Sequence, residues 1–138
     1  MHMILFRGQR KTFGLQAGRL APCPSSPNCV SSDASEHRHR VQAYRLSVDP
    51  GHAWLALRQV VAGLERTRVI EASVDYLHAE CRSMLWGFID DLEFHLRPSS
   101  AEIAVRSASR LGYSDLGVNR RRVERIRRIL STQNIVKP

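Results

Sequence analysis

Arg106-Ser-Ala-Ser-Arg110 sets two guanidiniums around two hydroxyls, Ser107 and Ser109, and Ser114, Asp115 and Asn119 follow closely. Guanidiniums grip carboxylate or phosphate with two parallel hydrogen bonds, so the run could bind an anion. The same residue types could instead knit a fold together through buried polar bonds. Upstream, Asp90 and Asp91 supply adjacent carboxylates, and downstream Arg120, Arg121 and Arg122 supply cations. The candidate ligand-binding set is therefore Asp90, Asp91, Arg106, Ser107, Ser109, Arg110, Ser114, Asp115, Asn119 and Arg120. Cys23 and Cys29 flank Pro-Ser-Ser-Pro-Asn, a string of turn formers that could let them close a short disulfide loop. With Cys81 the count is three, which is weak support for a disulfide framework. His37 and His39 lie near the cysteines among charged neighbours, a pattern of solvated loop rather than of a metal site. No metal and no cofactor is expected.

These residues need elements to position them. Val41–Val48 alternates partially and reads as a strand. Asp49 and Pro50 suit the cap and first position of a helix, and Trp54, Leu57, Val61 and Leu64 recur at helical spacing. Strands are predicted over 68–73, 76–84, 88–96 and 102–110, with turns at Val74-Asp75 and Pro98-Ser-Ser100. A helix capped by Asn119 is predicted over about 120–130, with Val123, Ile126 and Leu130 inward. The order β-α-β-β-β-β-α implies an α+β fold. It is a two-layer sandwich in which an antiparallel sheet of about five strands carries two helices on one face. Residues 1–40 read as an extended arm with the Cys/Pro/Ser loop, 41–131 as a single α+β domain and 132–138 as a tail. The order is similar to the TATA-binding-protein-like and helix-grip architectures, an analogy of fold that carries no function.

Alternation then sorts the chemistry by face. Phe88, Asp90, Leu92, Phe94 and Leu96 share one side of a strand, so Asp90 turns toward the helices while Asp91, Glu93 and His95 turn away. Ile103 and Val105 face the core in the next strand, so Ser107 and Ser109 continue that side. Arg106 and Arg110 then face Asp91 and Glu93. As exposed cross-strand pairs these would contribute about 0–1 kcal/mol. His78 and His95 fall on the same outer face and read as surface residues. Asp90 on the core side must find donors or carry a large burial cost. Arginines at 120–122 oppose the helix dipole by about 0.3–1 kcal/mol each, and an acidic neighbour is expected to offset them, with a bound anion as the second explanation.

The chain has 138 residues and a formal net charge of +8, with 21 Lys and Arg against 13 Asp and Glu. Lys11 and Lys137 are the only lysines, so the excess is arginine. Such a balance permits nucleic acid, anionic lipid or an acidic protein as partner, although most charge runs are solvated faces. Met3-Ile-Leu-Phe6 is too short for a signal-peptide core and is followed by Arg7, Arg10 and Lys11. No run approaches the roughly 20 apolar residues of a membrane span. A soluble cytoplasmic protein is the expectation from these features.

Three blocks carry a resemblance. They are Leu20-Ala-Pro-Cys-Pro-Ser-Ser-Pro-Asn-Cys-Val-Ser-Ser32, Gly87-Phe-Ile-Asp-Asp-Leu-Glu-Phe94 and Arg106-Ser-Ala-Ser-Arg-Leu-Gly-Tyr-Ser-Asp-Leu-Gly-Val-Asn-Arg-Arg-Arg-Val-Glu124. In this order they resemble the signature blocks of the bacterial and plastid domain-of-unknown-function family fourteen-ninety-nine, over about residues 18–131. The resemblance implies no activity, cofactor or catalytic residue. It implies exported, periplasmic or lumenal relatives, and it suggests that the three blocks meet in space.

The functional expectation is a non-enzymatic binding or accessory module, for a membrane-associated complex or a small anionic ligand. Its basis is the lack of a recognisable nucleophile–base–orienter set. One alternative is a hydrolase or transferase using Cys29 or a serine of the 106–114 run, with His52, His78 or His95 as base. The other is non-specific nucleic-acid binding through Arg120, Arg121, Arg122, Arg125, Arg127 and Arg128. The absence of an aromatic platform argues against it.

Overall fold

The computed structural model describes residues 13–84, 87–112 and 114–138. The apolar segment Met3–Phe6 and its basic neighbours lie outside the described residues. In chain order the elements are β1 (Leu15–Gln16), β2 (Arg19–Leu20), β3 (Cys29–Ser31), β4 (Tyr44–Arg45), α1 (Pro50–Ala62), β5 (Thr67–Ala72), β6 (Tyr76–Arg82), β7 (Ile89–Arg97), β8 (Glu102–Ser109) and α2 (Val118–Thr132). One sheet runs β3-β8-β7-β6-β5, antiparallel throughout, and β4 also pairs with β8. Two short strands therefore share one long edge: β3 lies against Arg106–Ala108 and β4 against Glu102–Ile103. The predicted α+β sandwich with two helices is the observed architecture.

Apolar alternation builds the core. Leu77, Ala79 and Cys81 of β6, Leu92, Phe94 and Leu96 of β7, and Ile103 and Val105 of β8 all turn to one face. Against it lie Ala53, Trp54, Leu57 and Val61 of α1 and Val123, Ile126 and Leu130 of α2. Asp49 caps α1 by accepting the His52 amide at 3.0 Å, Pro50 fills the first helical position, and the helix stops at Ala62 with Gly63 as its C-cap. Leu64 thus packs on the core from beyond the helix end rather than from within it. The Trp54 indole reaches across to donate to the Ser73 carbonyl at 3.0 Å.

Three local readings are corrected. The strand expected over 41–48 joins the sheet only at Tyr44–Arg45, with Leu46 in a single antiparallel bridge to Val136. Its remaining residues are held by single contacts instead: Leu46 and Ser47 bond Ala101 and Ile135. The residues predicted as an arm contribute β3 to the main sheet. Finally, α2 starts at Val118 with Gly117 in the left-handed region (φ 81°) as its cap, so Asn119 sits inside the first turn and is completely buried. A side chain at Gly117 would meet both that positive φ and the Arg121 guanidinium at 2.9 Å.

The face of the sheet away from the helices is also covered. Leu20 packs with Tyr76 and Ala104, Phe13 lies over the His78 ring at 4.3 Å between centroids, and Arg97 holds Asp33 through two bonds of 2.8 and 2.6 Å. The segment from 13 to 35 thus closes a face that alternation alone left open to water.

Candidate functional site

The ten candidate residues divide between the two faces of β7 and β8. On the helix side, Asn119 is the hub. Its side-chain oxygen accepts from Ser107 Oγ at 2.6 Å and Arg122 Nη1 at 2.9 Å. Its amide nitrogen donates to Ser109 Oγ at 2.9 Å, Asp115 Oδ2 at 2.7 Å and the Asn28 carbonyl at 3.3 Å. Arg122 Nη1 also reaches Asp90 Oδ2 at 2.9 Å, which supplies the counter-charge that a carboxylate on the core face requires. Asp115 accepts the amides of Gly117 and Asn119 at 2.9 and 3.0 Å and so takes the capping role assigned above to Asn119. Burial alone would raise the Asp115 carboxyl, but the bonds from Asn119 and Gly117 outweigh it and hold it below the usual carboxylate range. Ser114 lies at the exposed rim and accepts the Leu116 amide at 3.3 Å.

On the opposite side, Glu93 accepts from Arg106 Nη1 at 3.2 Å, from the Tyr76 hydroxyl at 2.6 Å and from the Gly14 amide at 2.7 Å. Asp91 accepts from Arg110 Nε and Nη2, both at 2.8 Å, and from His78 Nε2 at 2.7 Å. Arg110 also reaches Glu80 Oε2 at 2.7 Å. Burial pushes the Asp91 carboxyl up, yet the hydrogen bonds from Arg110 and His78 more than reverse this and leave it low. The registers Glu93↔Arg106 and Asp91↔Ala108 explain the pairing. The expected exposure is corrected: Arg106 is 1% exposed and Glu93 0%, and His78 is as deeply buried. The pairs lie beneath residues 13–35, so surface-pair energetics do not describe them. Arg106 Nε has no hydrogen-bond partner among the described residues.

The first and third motif blocks meet at Asn28, and the second joins the third through Asp90 and Arg122. The Asn28 side chain donates to the Gly112 carbonyl at 2.7 Å, and its carbonyl receives the Ser109 amide and Asn119 Nδ2. Cys23 and Cys29 form a disulfide, and the Cys29 carbonyl is bonded to His39 Nδ1 at 2.9 Å. Arg120 turns to the carbonyls of Arg38 and Arg40, both at 3.0 Å. Arg127 is buried 4.8 Å over the Tyr44 ring and holds Glu124 together with the Gln42 and Ala43 carbonyls. The six arginines of α2 therefore do not form one solvated stripe.

Beside the Asn119 hub lies a recess of about 450 Å³, floored by Asp90, Ser109 and Asp115. Its rim is apolar: Met84, Phe88, Leu111, Leu116 and Val118, with Leu116 83% exposed. Alternation misplaced this rim: Met84 and Phe88, expected within strands, lie just outside β6 and β7 and are exposed, Leu111 and Leu116 lie between β8 and α2, and Val118 opens α2. The only available signal was apolar side chains among turn-forming residues. A second recess of about 370 Å³ shares Val118 with the first and is lined by arginines of α2 and of the β5 and β6 ends.

Among the described residues, no group of three or more His, Cys, Asp or Glu is placed to hold a metal ion, and no helix is long and apolar enough to cross a membrane. A family model described as protein of unknown function (DUF1499) matches residues 19–130. No curated protein and no solved structure matches the chain.

Proposed function

Because the chain belongs to this family of unknown function, membership brings no activity with it, and we propose that it is a non-enzymatic binding or accessory module. Its partner is a protein that inserts an apolar side chain into the recess beside Asn119. The observation carrying this reading is the rim of Met84, Phe88, Leu111, Leu116 and Val118, an exposed apolar cluster over a polar floor. Such clusters on otherwise well-packed surfaces mark interaction sites. Asp90, Ser109, Ser114 and Asp115 line this contact, while Ser107 and Asn119 hold its framework; Asp91, Arg106 and Arg110 lie on the other face of the sheet and Arg120 turns to Arg38 and Arg40. A membrane-associated complex would be reached through the same recess.

The catalytic alternative has less support. Cys29 is committed to a disulfide, and the hydroxyls of Ser107 and Ser109 are engaged by Asn119. His78 is enclosed against Asp91. A nucleophile needs a base within hydrogen-bond reach.

The test is site-specific photo-crosslinking of the full chain in its host, with the reactive group at position 116 or at the exposed control Arg58. A defined protein adduct formed only at 116, and lost in Phe88→Asp, is expected. Equal labelling from both positions, or hydrolytic activity abolished by Ser109→Ala, would overturn the reading.

A further inference from the structure

The second recess carries its own chemistry. Arg66, Arg82, Arg121, Arg122, Arg125 and Arg128 line it, with Glu65 as the acid among them. Two of the six are offset: Arg122 by Asp90 at 2.9 Å, and Arg66 by Glu65 at 3.4 Å. Among the described residues, Arg82 and Arg121 find only the carbonyls of Gly87 and Leu116. Among the described residues, no carboxylate lies within 4 Å of Arg82, Arg121, Arg125 or Arg128.

This arrangement concentrates charge of one sign in one place. Arg121 and Arg125 are four residues apart and Arg125 and Arg128 three, so like charges stack along one helix face. Asp115 offsets the positive end of α2 through the Gly117 and Asn119 amides, but among the described residues it forms no ion pair with these arginines. The other basic recess, around Arg40, Arg45 and Arg120, differs because Glu102 and Glu124 line it too. The arginine recess is also concave rather than flat, and Leu64, Ile126 and Cys81 give it an apolar floor.

We propose that this recess binds a small phosphorylated molecule, its phosphate gripped by Arg82, Arg121, Arg125 and Arg128. Four uncompensated guanidiniums call for a multiply charged anion, and the planar fork of arginine matches phosphate oxygens two at a time. The apolar floor receives the uncharged part of the ligand. The volume, about 370 Å³, suits a diphosphate or a phosphate monoester and not a folded macromolecule. A soluble phosphate ester and the headgroup of a phosphatidate lipid present the same chemistry. The site does not depend on the apolar recess being a protein contact.

The test is calorimetric titration of the full chain at physiological salt with pyrophosphate, glycerol phosphate and phosphatidate vesicles, with phosphatidylcholine vesicles as blank. Saturable binding of at least one phosphate probe is expected, tenfold or more weaker in Arg125→Glu/Arg128→Glu. Both side chains are exposed, so the melting temperature should hold. The charge-matched Arg45→Glu/Arg58→Glu should bind as the wild type does. Binding to vesicles but not to glycerol phosphate assigns a lipid headgroup; the reverse assigns a soluble ester. No saturable binding, or equal weakening in both double variants, overturns the proposal. So does tighter binding of duplex DNA than of any phosphate probe at the same salt. The uncharged rim variant Leu111→Ser, which does not line the arginine recess, should leave the phosphate isotherm unchanged, so failure here is separable from failure of the protein-docking reading.

Discussion

Ser107 in β8 and Asn119 in the first turn of α2 are joined by a 2.6 Å hydrogen bond, and both residues are fully buried. Through Asn119 the bond extends to Ser109, Asp115, Asn28 and Arg122. One side chain therefore ties the last helix, the last strand and the disulfide loop together.

Asn119→Ala should take away the acceptor of the Ser107 hydroxyl and the donor to Ser109 Oγ at once, while the Asn28 carbonyl keeps the Ser109 amide. A loss of about 2–4 kcal/mol is expected, since each orphaned buried group costs about 1–3 kcal/mol and part will be relieved by water. Ser114→Ala, at the exposed rim, should stay within about 0.5 kcal/mol. Urea midpoints of the two variants check both figures; equal midpoints would contradict the hub.

Glu93→Gln removes the carboxylate facing a guanidinium that is 1% exposed. Leaving that charge buried alone should cost about 3–5 kcal/mol. Adding Arg106→Met removes the orphan charge and should recover more than half of the loss. A double variant less stable than the single one would show that the ion pair is not the source of the effect.

Acid should destabilise the fold. Asp33, Asp91 and Asp115 are each pushed up by burial, but their hydrogen bonds to Arg97, to Arg110 and His78, and to Asn119 leave all three below the ordinary carboxylate range. The unfolded chain then binds protons first, near an ordinary value of about 4. Stability from these groups is complete above about pH 5 and is lost as pH falls through and below 4. Urea unfolding should give similar midpoints at pH 7 and 5 and a lower one at pH 3.5, with a shallower fall in Asp115→Asn.

Cys23→Ser/Cys29→Ser opens a loop with a sequence separation of 6. The chain-entropy relation gives a loss of about 2 kcal/mol for so short a loop. Cys81 is buried and its thiol is pushed up by that burial, so it should stay unreactive to thiol reagents in the native protein and titrate only on unfolding. Thiol counting with and without denaturant checks the second point, and melting temperatures check the first.

Period-two alternation and turn chemistry suffice to read much of this fold from the sequence. Leu92, Phe94, Ile103 and Val105 fall on one face because successive side chains in a strand point to opposite sides. The same rule separates Asp90 from Asp91 and Ser107 from Arg106 before any register is known. Asp49-Pro50 marks the start of α1 for a local steric and hydrogen-bonding reason.

Tertiary structure decided what covers each face. Local pattern cannot tell a solvated polar face from one roofed by a distant segment, so Arg106, Glu93 and His78 read as surface until residues 13–35 close over them. Nor can it see that Asp115, not Asn119, caps α2, because that choice depends on Asn119 being drawn inward by Ser107 and Asn28. The two recesses that meet at Val118 arise where turns remote in sequence converge. Periodicity specifies faces, whereas a site is specified by distances between segments, and those are set only when the chain packs.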